Sequence, residues 1–101
     1  MRYCVYRYTD LADGIIKYVG IVHKGTLKGR HIAHKYEDWY GLSEYKLEYI
    51  KVKNRSEAEA LESHFISKYH TDKWYNTAKC GWGEIGFIPP GIENQWKLYE
   101  T

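Results

Sequence analysis

Three short stretches of this chain have the apolar and aromatic pattern of strands, and two longer stretches have that of amphipathic helices. Residues 2–9 and 15–22 are rich in aromatic and β-branched side chains, which favours strands. Residues 10–14 (DLADG) indicate a turn, so these two strands are expected to form an antiparallel hairpin. Residues 45–53 alternate as a third strand does.

The two helical stretches are residues 26–40 and residues 57–69. Thr26 is the expected N-cap of the first helix, and a capping box between Ser56 and Glu59 is expected to open the second. The predicted inner side of the first helix is formed by Ile32, Ala33, Tyr36, Trp39 and Tyr40. The predicted inner side of the second helix is formed by Ala58, Leu61, Phe65, Ile66 and Tyr69.

The order of these elements predicts an α+β domain with a three-stranded antiparallel sheet flanked by helices. A chain of 101 residues is long enough for one core, so residues 1–101 are interpreted as a single domain. Glycines and prolines predict an irregular C-terminal extension over residues 80–101. Its last ten residues either dock through Trp96, Leu98 and Tyr99 or remain loose.

The composition is that of a folded protein, with 44% hydrophobic and 28% charged residues. Its two cysteines form neither a disulfide framework nor a C-x-x-C zinc motif. The N-terminus lacks the apolar core of a signal peptide, and no apolar run approaches the ~20 residues of a membrane span. We therefore expect a reduced, cytoplasmic protein that is not embedded in a membrane.

Positive charge is concentrated in one part of the sequence. The net charge is only +2, which by itself does not indicate a nucleic-acid-binding protein. Residues 24–35, however, contain four Lys or Arg and no acidic residue. The candidates for nucleic-acid contact in and next to this stretch are His23, Lys24, Lys28 and Lys35.

Glu62 falls within the apolar side of the second predicted helix. A carboxylate in that position is costly unless it has a cation or strong hydrogen-bond donors as partners. The helix pattern supports two interpretations equally. Glu62 forms a salt bridge at the edge of the core, or it serves as a metal ligand or general base.

Arg30 and His34 are one helical turn apart. An arginine fork can hold a phosphate through two bonds, and a neighbouring histidine can share that contact or move a proton. The simpler alternative is a solvated helix flank. His31 and His34 also form an H-x-x-H pattern, but a zinc site is disfavoured because no further Cys or His is clustered with it.

Tyr6 and Tyr18 lie on the two strands of the predicted hairpin. If the turn is centred near residue 12, the two tyrosines are directly opposed. Such a pair is commonly a packing contact, although a phenol can also bond to a phosphate-bound water.

Five markers, in this order along the chain, resemble those of the GIY-YIG nuclease family. The letters CVY at residues 4–6 and YVG at residues 18–20 resemble the paired motif that names the family. The remaining markers are Arg30 followed by His34, then Glu62 in a later helix, and finally the pair Tyr75-Asn76. The resemblance covers residues 3–79. Each marker alone is weak, and the specificity of the match comes from all five occurring in this order.

The sequence departs from the family pattern at three places. Cys4 occupies the position of a glycine, which in a strand mostly permits close backbone approach. The interval from the second motif to Arg30 is long, and Lys28 lies nearer the usual distance. Where some relatives have a lysine after the second motif this chain has Ile21, so His23 or Lys24 would take its place.

The resemblance implies a metal-dependent endonuclease that hydrolyses phosphodiester bonds in DNA. It implies one Mg²⁺ (or Mn²⁺) held by Glu62, with Arg30 neutralising charge on the phosphoryl oxygens. It further implies that Tyr6 takes or positions a proton of the attacking water, with Tyr18 and His34 assisting, and that Asn76 orients groups or fixes its loop.

Two alternatives remain at the level of sequence. One is a catalytically silent nucleic-acid-binding module on the same fold, and the other is an unrelated α+β interaction protein whose tyrosines only pack. Branched and single-stranded DNA are both candidate substrates. Because no helix-turn-helix or zinc finger is present, specificity would come from the loops, a homodimer or a targeting subunit.

Overall fold

The computed structural model describes residues 3–76 and 88–100. Within them, one antiparallel sheet has four strands in the order β2-β1-β3-β4. These are β1 (Cys4–Asp10), β2 (Ile16–Val22), β3 (Tyr45–Lys51) and β4 (Lys97–Leu98). The α+β class is confirmed, but the expectation of three strands is wrong.

The additional strand comes from the segment that was expected to be irregular. Lys97 and Leu98 pair with Tyr49 and Glu48 of β3. This pairing supplies partners to a stretch of backbone at the outer edge of β3. The C-terminal segment therefore docks, although Leu98 itself remains exposed. Residues 77–87, which include the last three positions of the motif-bearing region and the first eight of the predicted irregular extension, lie outside the described residues.

Both faces of the sheet are covered, because β1 contributes buried side chains to each. Cys4, Tyr6 and Tyr8 point to one face, which packs against helix α1 (Leu27–His34) and the short 3-10 helix Asp38–Leu42. The intervening Val5 points to the other face, which packs against α2 (Arg55–Tyr69). The expectation of a sheet flanked by helices is thus confirmed.

The hairpin forms as expected, but with a different register. Tyr6 pairs with Gly20, and Tyr8 pairs with Tyr18, so the prediction that Tyr6 and Tyr18 are directly opposed is wrong. The pairing shifts between Tyr8 and Thr9, where a bulge adds a residue to one strand. Tyr6 and Tyr18 are therefore diagonal neighbours, with ring centroids 6.1 Å apart.

Helix α1 is capped as predicted but ends six residues early. The Thr26 hydroxyl accepts a hydrogen bond from the Gly29 backbone at 3.0 Å. The predicted inner side is wrong for Ile32 and Tyr36, which are 45% and 85% exposed. Ala33 is exposed as well. The residues that face the sheet are Leu27, His31 and His34.

Helix α2 has the predicted inner side but a different cap. Asn54, not Ser56, is the N-cap, and its side chain accepts a hydrogen bond from the Glu57 backbone at 2.8 Å. The capping box between Ser56 and Glu59 is therefore a wrong prediction. The buried side comprises Ala58, Leu61, Phe65 and Ile66, with Tyr69 packed against it. No helix in the described ranges is long and apolar enough to cross a membrane.

Candidate active site

A hydrogen bond between Tyr6 and His34 joins the central strand of the sheet to helix α1. The Tyr6 hydroxyl lies 2.7 Å from Nε2 of His34, and both residues are buried. Two sequence-predicted candidates, 28 positions apart, are therefore in direct contact. His34 lies on the inner side of α1 and not on its flank, because its ring nitrogen has a partner there.

The other nitrogen of His34 is bonded to a carboxylate that the sequence analysis did not single out. Nδ1 of His34 lies 2.6 Å from Oε1 of Glu37. The second oxygen of Glu37 accepts a hydrogen bond from the Trp39 indole at 2.8 Å. Glu37 has extended backbone after the end of α1, which turns its side chain back towards His34. A carboxylate three residues after a histidine was the available signal in the sequence.

Burial controls the protonation of this pair. It raises the pKa of Tyr6 well above its ordinary value of 10.0, and the nearby Arg30 opposes the rise without cancelling it. Burial also lowers the pKa of His34 below 6.5, against the opposing effect of Glu37. At neutral pH the resting site therefore contains a neutral phenol and a neutral imidazole.

Gly20 provides the space that the Tyr6 ring occupies. A Cβ atom on Gly20 would lie 2.6 Å from both Cζ and the hydroxyl oxygen of Tyr6. It would also lie 2.9 Å from Cε1 of Tyr18. The glycine of the second motif thus has a steric role, because only a hydrogen atom fits between the two tyrosines. In the first motif Cys4 is buried, and burial raises the pKa of its thiol to about 11.

Tyr18 is the more solvent-accessible member of the tyrosine pair. It is half-buried, whereas Tyr6 is only 1% exposed. Burial and the charge of Glu37 raise the pKa of Tyr18, and interaction with the Tyr6 hydroxyl opposes the rise. The ring of Tyr18 also packs on His34, with centroids 4.8 Å apart. Both motif tyrosines therefore contact the same histidine.

Arg30 lies on an exposed flank of α1. Its positive charge lowers the pKa values of Tyr6, Tyr18, His34 and Glu62, although in each case burial has the larger effect. Arg30 is thus close enough to interact electrostatically with the groups predicted around it. We refer to Tyr6, Tyr18, His34 and Glu62 as the candidate cluster. An exposed guanidinium beside it is available to an anionic ligand.

Glu62 has a carboxylate oxygen that is buried and lacks a partner. Oε1 makes no hydrogen bond to any residue in ranges 3–76 and 88–100, and no ion pair to Glu62 is found there. Burial first, and the negative charge of Glu59 second, raise the pKa of Glu62 to about 7, while Arg30 opposes. The described residues give no support to the salt-bridge interpretation, and a buried carboxylate oxygen without a partner suits a hard cation.

Asn76 fixes the free edge of β2. Its side-chain oxygen accepts a hydrogen bond from the Val19 backbone at 2.9 Å, and its amide donates to the Val19 carbonyl at 2.8 Å. These two bonds replace the ladder contacts that an additional strand would make. Tyr75, next to it, donates its backbone N–H to the Lys17 carbonyl and stacks on Trp39. Asn76 therefore holds the strand that carries Tyr18 and Gly20.

The four residues predicted to contact nucleic acid do not all lie beside the candidate cluster. His23 and Lys24 lie in the connection between β2 and α1. Lys28 and Lys35 line a groove of about 460 Å³ on the flank of α1 away from Arg30. The other lining residues of this groove are His31, Ile32, Tyr99 and Glu100.

The two histidines of the H-x-x-H pattern bond to different tyrosines. Nδ1 of His31 lies 2.7 Å from the hydroxyl of Tyr8, while His34 bonds to Tyr6. In the described part of the chain, no group of three or more His, Cys, Asp and Glu side chains could hold a metal ion.

Comparison with known proteins gave no match, so this site is assigned from its residues and their geometry. No family model matches the chain. No curated protein and no solved structure matches it either.

Proposed function

We propose that this protein is a divalent-metal-dependent endonuclease that hydrolyses phosphodiester bonds in DNA, with a site of the GIY-YIG type. The observation that carries the proposal is the convergence of residues distant in sequence. Tyr6 bonds to His34, Tyr18 packs on the same histidine, and the charge of Arg30 acts on all three and on Glu62. Packing alone requires neither the arginine nor the buried carboxylate.

Glu62 is the residue that would hold the metal ion. Its buried oxygen without a partner among the described residues fits one Mg²⁺ or Mn²⁺, which takes oxygen ligands and keeps several waters. Such an ion, when bound, polarises the phosphate and stabilises the leaving oxygen.

The remaining residues would bind the phosphate and move a proton. Arg30 neutralises charge that develops on the phosphoryl oxygens. Tyr18, the half-buried tyrosine, meets the attacking water. Tyr6, whose side chain neighbours Tyr18 and interacts with its hydroxyl, bonds to the neutral His34. Because burial keeps Tyr6 protonated at rest, it transfers a proton onward and does not begin as a phenolate. Asn76 keeps β2 in place, and the exposed Lys24, Lys28 and Lys35 attract the nucleic-acid backbone.

The proposal is tested by incubating the purified protein with plasmid, branched and single-stranded DNA, with Mg²⁺ or with EDTA. Cleavage that requires Mg²⁺ and is absent from a Glu62→Gln preparation is the expected result. DNA binding is measured on the same preparations. Binding without cleavage would instead indicate the silent nucleic-acid-binding module, and the absence of both would indicate an interaction protein.

A further inference from the structure

Glu37 is not one of the five sequence markers, yet its hydrogen bond to His34 is the shortest contact made by the candidate cluster. Its carboxylate joins Nδ1 of His34 to the indole of Trp39, at 2.6 and 2.8 Å. We propose that Glu37, held by Trp39, is a positioning residue that keeps the proton of neutral His34 on Nδ1 and leaves Nε2 free to accept the proton of Tyr6. The catalytic part of this inference rests on the proposed nuclease function.

The hydrogen-bonding capacity of each group determines which nitrogen of His34 carries the proton. A neutral imidazole carries one proton, and an ionised carboxylate can only accept. Because Glu37 faces Nδ1, the proton of His34 is stabilised on that nitrogen. Nε2 then has a free lone pair, and the Tyr6 hydroxyl that faces it is the donor. The same order of carboxylate, imidazole and hydroxyl occurs in other proton-transfer sites.

Trp39 limits the movement of the carboxylate. The side chain of Glu37 is 46% exposed, so water would otherwise compete for it. Trp39 is buried in the core of this face, and its N–H occupies the second carboxylate oxygen. One rigid donor and one histidine therefore fix both oxygens of Glu37, which orients the imidazole as well as its proton.

The proton transfers balance through the two tyrosines. An O–H bond of the attacking water breaks as its proton passes to Tyr18, whose own proton passes to Tyr6. The O–H bond of Tyr6 breaks as its proton forms a new N–H bond at Nε2 of His34. The resulting hydroxide bonds to phosphorus as the P–O bond to the leaving oxygen breaks, and that oxygen takes a proton from solvent. His34 becomes an imidazolium, whose positive charge the Glu37 carboxylate stabilises.

Several groups besides Glu37 act on His34, and the experiment must separate its effect from theirs. Burial has the largest effect and lowers the pKa of His34, and the charge of Arg30 lowers it further. The other titratable groups around the imidazole are Tyr6 and Tyr8 of β1, Tyr18 of β2 and His31 of α1. The variants below leave all of these in place.

The first test measures His34 directly and needs no nucleic acid. Ring-nitrogen NMR of the wild type at neutral pH should show the tautomer with hydrogen on Nδ1. In Glu37→Gln the amide can donate to Nδ1, so that tautomer should lose population and the pKa of His34 should fall. Asp38→Asn is the matched control, because it removes a neighbouring exposed acid and should leave His34 unchanged. An unchanged tautomer and titration in Glu37→Gln would overturn the proposal.

The second test is kinetic. Glu37→Gln should lower kcat by about 100-fold, the scale of one acid–base contribution, and leave KM nearly unchanged. The acid limb of its kcat–pH profile should move to lower pH with the pKa of His34. Trp39→Phe, which loses the indole N–H, should show a smaller change in the same direction. A fall in kcat with an unmoved acid limb would mean a merely structural role, and melting temperatures identify any variant that fails to fold.

The two tests distinguish failure of this inference from failure of the proposed function. A wild-type protein with no Mg²⁺-dependent cleavage would overturn the nuclease proposal, while the NMR result still decides whether Glu37 positions His34. Cleavage in the wild type with unaltered kcat in Glu37→Gln would overturn the positioning role and leave the nuclease proposal standing.

Discussion

Gly20 of β2 pairs with Tyr6 of β1, and the side chain of Tyr6 fills the space that a Cβ on Gly20 would need. The ring and hydroxyl of Tyr6 would both lie 2.6 Å from such an atom. Real Cβ atoms do not approach other atoms so closely, so the tyrosine would have to move. Since Tyr6 is buried and bonded to His34, any movement disturbs that bond.

Gly20→Ala should therefore impair both stability and cleavage. We expect a loss of about 1–3 kcal/mol in the free energy of unfolding, the cost of overpacking a core, and a larger loss of kcat. Gly41→Ala is the matched control, because a Cβ there meets nothing within 4 Å. Denaturant unfolding and a cleavage assay on both proteins measure the two effects. If Gly20→Ala behaves like Gly41→Ala, the close approach of Tyr6 is contradicted.

The Tyr8 hydroxyl is a control for the role of the Tyr6 hydroxyl in cleavage. Tyr8 bonds to His31 as Tyr6 bonds to His34, at the same distance of 2.7 Å and in the same core. Tyr6→Phe and Tyr8→Phe should each cost about 1–3 kcal/mol of stability, because each leaves a buried imidazole nitrogen without a hydrogen-bond partner. Only Tyr6→Phe should abolish cleavage.

Tyr18→Phe should be less damaging than Tyr6→Phe, because a water can take the place of a hydroxyl near the surface but not in the core. Cleavage rates per folded molecule, compared across the three variants, decide the matter. Wild-type cleavage in both Tyr6→Phe and Tyr18→Phe would reduce the pair to a packing contact.

Arg30→Ala should cost about 3 kcal/mol or more in transition-state stabilisation, the scale of losing one preorganised charge donor. Folding should survive, because Arg30 is exposed. Lys28→Ala is the natural comparison, since it removes one positive charge from the opposite flank of the same helix. It should weaken DNA binding slightly and leave kcat unchanged. The reverse result, with Lys28 essential and Arg30 dispensable, would show that the motif is misaligned across this loop.

Glu62→Gln keeps the size of the side chain and removes the charge that a divalent ion requires. Mg²⁺-dependent cleavage should be abolished, while DNA binding should persist or improve because a negative charge near the phosphates is gone. Glu44→Gln, at an exposed position, is the control for loss of one negative charge. An active and stable Glu62→Gln protein would contradict the metal-ligand assignment.

The stability of the same variant should depend on pH. The pKa of Glu62 is about 7 in the folded protein against an ordinary value of 4.5, so the folded state binds this proton more tightly than the unfolded state. In EDTA, wild type should therefore lose stability relative to Glu62→Gln as the pH rises from 4.5 to about 7. The difference should then stay constant at higher pH. Added Mg²⁺ should raise the melting temperature of wild type only.

Local signals in the sequence determined which elements form and much of what they bury. The apolar spacing of residues 57–69 predicted both helix α2 and its buried side, and it placed Glu62 within that side. The aromatic and β-branched stretches predicted the three long strands, and residues 10–14 predicted the hairpin turn. These features depend on neighbours within one or two helical turns, or on alternation along one strand, and the sequence contains that information directly.

Tertiary structure decided how the elements meet. A bulge after Tyr8 set the hairpin register and paired Tyr6 with Gly20, which no local pattern specifies. Hydropathy predicted Ile32 and Tyr36 for the inner side of α1, yet His31 and His34 take that side. Buried histidines are stable there because tyrosine hydroxyls on the sheet, 23 and 28 positions away, complete their hydrogen bonds. Hydropathy assigns a polar side chain to solvent, and only the folded chain supplies the distant partner that makes its burial favourable.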